Sequence, residues 1–395
     1  MARFVWFLIL AFGMGAFGQA PTRVVPTLSA LDALKPGTTQ PFVLVEGLDA
    51  GRPFAGGPKS FRWDSTNALP TNAIRRATAT GTGRWVHDWD GDAQIFGAYP
   101  WTESSLAISN ALAARNDVYL PYGTYLVKYP IEVGRAKSLT GRSQGMFGQT
   151  VLQATTDHVG PAMIITYDQF PTVKNLQIFG NNTVKSYLDG IQRVKPGQAN
   201  EADCLFENLM FMSLHTAVSV GAEGRAGGAN KPNIGRMVGL AAYDLTGNGF
   251  ELAPQDYLEY TSLKGELGSF ATRPWPYIVG TNDTYGILFT GNGATVQGGS
   301  MWGFKYAFGG GVYPRFNTHV SGWVEYCSYL ANQEGGGIIY GTVHAPTTRF
   351  NPNDKGRWVS FNQSPSAPYF PQRYPKVRDH LKASLFFNEG SGNYS

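Results

Sequence analysis

Beyond Ser138 the chain alternates apolar and polar residues in short runs, with no sustained 3.6-residue period. Val173-Lys174-Asn175-Leu176-Gln177-Ile178 is matched by Phe206-Glu207-Asn208-Leu209-Met210-Phe211, 33 residues further on. A second recurring run opens with Gly and an apolar residue. It occurs at Gly190-Ile191, Gly249-Phe250, Gly286-Ile287-Leu288-Phe289 and Gly337-Ile338-Ile339, and Ala217-Val218-Ser219-Val220 fills the same place without the glycine. Further runs of the first kind fit Tyr260 to Lys264, Ala294 to Gln297 and Thr318 to Glu325. Alternation within each run sends one set of side chains inward and the next outward. Strands recurring every roughly 25–50 residues, with no helices between them, predict stacked coils.

A β-sandwich would not require the two kinds of run to alternate along the chain. The pattern therefore predicts an all-β fold, a right-handed parallel β-helix over residues 96–342. Corner glycines permit its bends, and loops of unequal length leave it on one face. Upstream, short strands such as Phe42–Val45 in a Pro-, Gly- and Thr-rich stretch predict a separate small cap or attachment module over 21–95. One helix is predicted from Ser104 to Arg115, with Thr102 as N-cap and Leu106, Ile108 and Leu112 as its apolar positions. Asp117 to Val127 reads as a strand interrupted by the turn Pro121-Tyr122-Gly123. Over 343–395, Pro346, Pro352, Pro365, Pro368, Pro371 and Pro375 break regular structure and predict a loop-rich tail or cap.

Residues 1–20 follow a different pattern: Met-Ala-Arg, an apolar stretch from Phe4 to Phe12, then small residues ending Gly18-Gln19-Ala20. This predicts a secretory signal peptide or an uncleaved hydrophobic anchor. Pro21 is awkward immediately after a scissile bond, and the apolar stretch is too short for a comfortable membrane span.

Composition narrows the function classes. Charged residues make up 15% of the chain and Gly accounts for 49 of 395 residues, while aromatics reach 13%. Few charges, many glycines and abundant aromatics describe short strands and tight turns rather than disorder. The net charge is +4 with no long basic run, which argues against nucleic-acid binding. Cys204 and Cys327 are two cysteines separated by several coils, so they read as buried free thiols.

Phosphate-loop, nucleophile-elbow and zinc patterns are absent, so no cofactor or metal is expected. Gly309-Gly310-Gly311 and Gly335-Gly336-Gly337 read as corner or loop glycines. The histidines are scattered without ligand spacing. Cutting a polysaccharide requires two carboxylates across a sugar, or a base beside a uronate carboxylate. Glu207 has Lys174 as its 33-residue partner and reads as part of an outward ion-pair ladder. Glu259 and Glu325, beside Tyr260 and Tyr326, are the acid/base candidates, each with an ordinary surface carboxylate as its alternative. Glu251, Glu266 and Asp283 are further carboxylates of the same region. Trp275, Tyr277, Trp302, Tyr306, Trp323 and Tyr326 fall within about fifty residues and form the candidate sugar-binding face. Core packing or a subunit interface is the other use of such a cluster.

Phe61-Arg62-Trp63-Asp64 followed by Gly81-Thr82-Gly83-Arg84-Trp85-Val86 resembles the cap module that precedes pectate-lyase-like β-helices, as in bacteriophage tailspikes and related bacterial proteins. Phe96-Gly97-Ala98, the helix after it, and Val118-Tyr119-Leu120-Pro121-Tyr122-Gly123-Thr124-Tyr125 resemble the entry into that β-helix. Leu139-Thr140-Gly141 and Thr150-Val151-Leu152 resemble its first coils. The resemblance covers roughly residues 28–220, and beyond that only the repeat carries it. The chain departs from the pattern at Tyr99-Pro100-Trp101-Thr102-Glu103, where the family has paired aspartates. A secretory-type N-terminus is also unusual in tailspikes.

The resemblance implies a virion spike that recognises bacterial surface polysaccharide, with or without depolymerising it. Such a spike would be a homotrimer attached to its particle through the N-terminal region. The alternative it implies is an exported polysaccharide lyase or glycoside hydrolase, secreted or periplasmic. A structural particle protein without carbohydrate binding is a third reading.

Overall fold

The computed structural model describes residues 23–34, 42–48, 57–67, 72–76, 83–142, 150–193, 204–221 and 235–252. Beyond these it describes 258–261, 264–267, 284–289, 294–297, 300–310, 322–325, 329–333, 338–339, 343–344 and 357–358. After Leu252, side chains are described only for 284–288, 301, 303–306 and 309. Two compact units, Met1–Tyr99 and Pro100–Ser395, divide the chain.

In the first unit, β1 (Arg23–Val25), β2 (Phe42–Val45), β3 (Lys59–Asp64), β4 (Arg75–Arg76) and β5 (Arg84–His87) form one sheet ordered β1-β2-β3-β5-β4. A short helix, α1 (Leu28–Asp32), starts where Thr27 Oγ1 accepts the Ala30 N–H. The two tryptophan-bearing runs pair antiparallel, placing Trp63 opposite Trp85 with their rings edge-on at 5.3 Å. Gly83 is required beside them: its φ is +114°, and a Cβ there would lie 2.5 Å from the Trp63 ring.

The second unit opens with α2 (Ser105–Ala114), whose N-cap is Ser104 and not Thr102. The Thr102 carbonyl accepts the Leu126 N–H and the Ser104 N–H bonds back to Leu126, so the chain is still extended at Thr102. Glu103 supplies the cap instead, accepting the Ser105 N–H at 2.8 Å. Ile108, Ala111 and Leu112 are buried, whereas Leu106 is 67% exposed. The helix packs on the first coil, over β6 (Asp117–Leu120) and β8 (Ile131–Val133), which flank β7 (Gly123–Val127).

The chain then coils. β9 (Ser138–Gly141), β10 (Thr150–Ala154) and β11 (Ala162–Thr166) make one coil, and β12 (Thr172–Phe179) and β13 (Asp189–Gln192) the next. β14 (Cys204–Leu214) with β15 (Val218–Ser219), and β16 (Gly235–Leu245) with β17 (Phe250–Leu252), continue the stack. β18 (Leu258–Thr261), β19 (Lys264–Leu267) and β20 (Tyr285–Phe289) follow, then β21 (Ala294–Gln297), β22 (Ser300–Trp302) and β23 (Tyr306–Gly310). The late strands are β24 (Gly322–Glu325), β25 (Tyr329–Gln333), β26 (Ile338–Ile339), β27 (Val343–His344) and β28 (Arg357–Trp358).

All pairings in the stack are parallel and join corresponding strands of successive coils, which makes the unit a parallel β-helix. β6, β9, the first halves of β12, β14 and β16, β18 and β21 line one face. β7, β10, the second halves of β12, β14 and β16, β19, β22, β24 and β27 line a second. β8, β11, β13, β15, β17, β20, β23 and β25 form the third. The 33-residue match is the register itself: Val173 pairs Phe206, Lys174 pairs Glu207, and Ile178 pairs Phe211. On the third face Ile191, Val218, Phe250 and Ile287 stack in register, and Phe250 meets Phe211 edge-on at 6.4 Å across the core.

Two expectations fail in detail. Gly337-Ile338-Ile339 does not extend the third face, because β26 pairs with β28 in a separate two-stranded sheet while Phe308 and Ala331 continue the column. Gly309 and Gly310 lie within β23 and not at a corner. A Cβ on Gly309 would sit 2.1 Å from the Tyr285 ring, so the glycine clears space for that ring.

Left-handed residues make the bends. Asn175, Asn208 and Gly239 occupy one corner of successive coils with φ of 57°, 52° and 65°, and Asn208 Nδ2 donates to Asn175 Oδ1 at 3.2 Å. Ser213 and Asp244 occupy the next corner with φ of 55° and 52°. Some buried polar groups are bonded within the coils. Glu251 accepts the Val220 N–H and an Asn248 amide N–H, while the Arg193 guanidinium donates to Cys204 Sγ at 3.4 Å. Cys204 is a buried free thiol, and Cys327 lies outside the described residues. Among the described residues no helix is long and apolar enough to cross a membrane, and residues 1–20 lie outside them.

Candidate functional site

On the second face, the register of the late coils gathers polar and aromatic residues from distant parts of the sequence. Lys264 pairs Ser300 and Glu266 pairs Trp302. Ser300 then pairs Trp323, Trp302 pairs Glu325, and Trp323 pairs His344. Met301 is buried, and Gly265 and Val324 share its column. Two further columns flank this one along the strands. One column reads Lys264, Ser300, Trp323, His344, and the other Glu266, Trp302, Glu325. Neighbours within a column are about 4.8 Å apart, and the columns are about 6.6 Å apart along the strands.

A bulge marks the entry to this patch. Ala242 pairs Gly265 and Leu245 pairs Leu267, so Tyr243 and Asp244 together stand opposite Glu266. The extra residue ends the regular ladder at the coil where the Glu266 column begins. Bulges of this kind re-aim side chains and are enriched beside active sites.

Five of the sequence candidates can be placed by backbone register. Trp302, Trp323 and Glu325 come together in this patch. Glu259 does not join them: it lies on the first face, between Arg236 and Thr295, two coils before Glu325 and in another column. Tyr306 is buried on the third face, stacked on Tyr285 at 5.2 Å and 19°, with Lys305 Nζ 5.3 Å from its ring centre. Tyr329 follows in register, extending an aromatic column that periodicity alone did not single out. Trp275, Tyr277 and Tyr326 lie outside the described residues. Among the described residues no cluster of three His, Cys, Asp or Glu is placed to hold a metal ion.

Chemically the patch offers two carboxylate positions in one column with an aromatic position between them. Glu266 and Glu325 are two coils apart, about 9.6 Å between backbone positions. Sequence spacing alone hid this partnership, because 59 residues separate two positions that only the coil register aligns.

No protein-family model matches the chain, and no curated protein matches it. Solved structures do share the fold. The chain is similar to Pantoea stewartii WceF, a glycan biofilm modifying enzyme with a bacteriophage tailspike-like parallel β-helix fold, at 12% identity and a TM-score of 0.57. That match covers 89% of this chain and 53% of the other. The enzymatically active domain of bacteriophage CBA120 tailspike protein 2 matches at 11% identity and a TM-score of 0.54, covering 90% and 64%. The gp42 tailspike of Acinetobacter phage vb_AbaP_AS12 matches at 11% and 0.54, covering 83% and 57%. The chain thus has the parallel β-helix of tailspikes, and spans about half to two thirds of the length of these structures.

Proposed function

We propose that this chain recognises bacterial surface polysaccharide through the second face of its late coils, as a tailspike-like protein that also cuts the chain it holds. The register alignment of Glu266, Trp302 and Glu325 carries this reading. A tryptophan between two carboxylates on successive coils matches what cleavage of a glycan needs: an apolar surface for a ring, an acid on one side and a base on the other. The two-coil separation fits inversion of configuration at the cut sugar, because it leaves room for the attacking water. Attachment to a particle through the N-terminal unit and assembly as a homotrimer belong to the same reading.

The exported-enzyme reading has its own support. A bacterial glycan-modifying enzyme has this fold, and residues 1–20 read as a signal peptide. The catalytic patch is the same in both readings, and finding residues 1–20 intact in the mature protein decides against export. The test of the patch is chain length and new reducing ends after incubation with bacterial polysaccharides. Glu266→Gln and Glu325→Gln each lower cleavage about a hundredfold or more while binding persists. Glu259→Gln leaves cleavage within twofold. Loss of cleavage in Glu259→Gln alone would overturn the assignment to this column.

A further inference from the structure

An ammonium group lies on the buried face of the first unit's sheet. β2 sets Val43 opposite Phe61 and Val45 opposite Lys59, while β5 sets His87 opposite Phe61. Strand alternation puts Lys59 and Phe61 on one face, where Val43, Val45, Phe61 and Trp85 are completely buried. The Lys59 side chain is 12% exposed, and its Nζ lies 3.1 Å from Oδ2 of Asp92, whose side chain is 5% exposed.

Asp92 is fixed from several sides. It is the N-cap of a 3-10 turn, Ala93–Phe96, and its Oδ1 accepts the Gln94 N–H at 2.8 Å. Its own N–H donates to Asp90 Oδ1 at 3.2 Å, and its carbonyl accepts the Trp89 indole N–H at 2.9 Å. Trp89 is buried and its ring packs on Phe96 at 5.0 Å, so an aromatic wall borders the pair. Burial raises the Asp92 pKa, opposed first by the Lys59 charge and then by the Gln94 N–H.

The same face carries an unused base. His87 Nδ1 lies 2.8 Å from the Ser60 carbonyl, which only accepts, so Nδ1 carries the proton and Nε2 the lone pair. Nε2 is buried and has no hydrogen-bond partner among the described residues. Burial lowers the pKa of this imidazole against the pull of the Ser60 carbonyl, and the Lys59 charge lowers it further. The ring is therefore neutral and its lone pair available at neutral pH.

We propose that Lys59 and Asp92 condense into an intramolecular amide, a covalent cross-link within the first unit. Two opposite charges withdrawn from water are costly to keep, and an amide removes both. A proton moves from the ammonium to the carboxylate, leaving an amine held against a carboxylic acid. Nζ attacks Cγ while the Gln94 N–H bonds the Oδ1 that gains negative charge. His87 Nε2 carries a proton from Nζ to Oδ2, the Cγ–Oδ2 bond breaks, and Oδ2 leaves as water. The ammonium and the carboxylate thus become one amide and one water, with no oxidant or further reactant. The bond ties the start of β3 to the turn after β5, joining positions 33 residues apart and restricting the unfolded chain.

Peptide mass spectrometry on the full wild-type chain tests the bond directly, because the measurement needs no variant to fold. The purified chain is denatured and digested with trypsin. The expected product is one peptide that holds both Lys59 and Asp92, lighter by one water than its two parts, with no cut after Lys59. Separate peptides of full mass in the wild-type chain overturn the proposal, and so does a joined peptide that persists in Lys59→Arg. His87→Gln is expected to slow joining about a hundredfold, read from the joined fraction as the freshly purified variant stands at neutral pH. A variant already fully joined, like the wild type, would overturn the part given to His87. None of these outcomes depends on polysaccharide binding.

Discussion

His158 shows how burial alone sets a residue's chemistry. It is 5% exposed, neither ring nitrogen has a hydrogen-bond partner, and desolvation lowers its pKa to about 4, opposed only weakly by Asp157. The unfolded chain therefore binds a proton near pH 6.5 that the folded chain refuses until about pH 4. Stability contributed by the neutral imidazole is complete above pH 6.5 and falls as the pH drops toward 4, by up to about 3 kcal/mol. In denaturant titrations His158→Leu is expected to lose that part of the acid slope. An unchanged difference between pH 7 and pH 4.5 would contradict the account. Some residue-scale facts were readable from the sequence, such as the Lys174–Glu207 partnership, because both lie on a repeated strand. His158 and the exposure of Leu106 were not, because turn packing and the cap of α2 decide them and no periodicity reports on either.

Among elements, the corner columns decide which glycines matter. Gly141 precedes Asn175 in one column and Gly180 precedes Ser213 in the next. Neither glycine needs a positive φ, yet a Cβ on either would lie 2.0 Å from the carbonyl oxygen of the left-handed residue one coil on. Backbone cannot yield as a flexible side chain does, so Gly141→Ala and Gly180→Ala are each expected to cost several kcal/mol in chemical denaturation. By contrast Asn208→Gly, at a position that is already left-handed, is expected to cost about 1 kcal/mol or less, since it trades one amide bond for relief of strain. The strand register was legible because the same side chains recur at the same offset. The placing of β26 outside the stack and of Gly309 within a strand was not. A Gly-apolar pair fits either location, and only the Tyr285 ring distinguishes them.

For the whole molecule, the resemblance and the repeat both pointed to a parallel β-helix, and the fold bears them out. α2 covers the open edge of the first coil, as such a stack requires. The site was less legible. Trp302, Trp323 and Glu325 were within reach of composition and spacing, whereas Glu266 became their neighbour only through the coil register, which the spacing in the sequence does not announce. Homotrimeric assembly predicts a native mass three times the 43.0 kDa of the chain, and a monomer in native mass spectrometry would count against the spike reading. The central claim is contact with polysaccharide, and co-sedimentation of the intact chain with surface polysaccharides from a panel of bacterial strains tests it most directly. The account predicts that the chain pellets with the polysaccharides of a few strains and that those chains are recovered shortened. A chain that stays in the supernatant with every polysaccharide would contradict it.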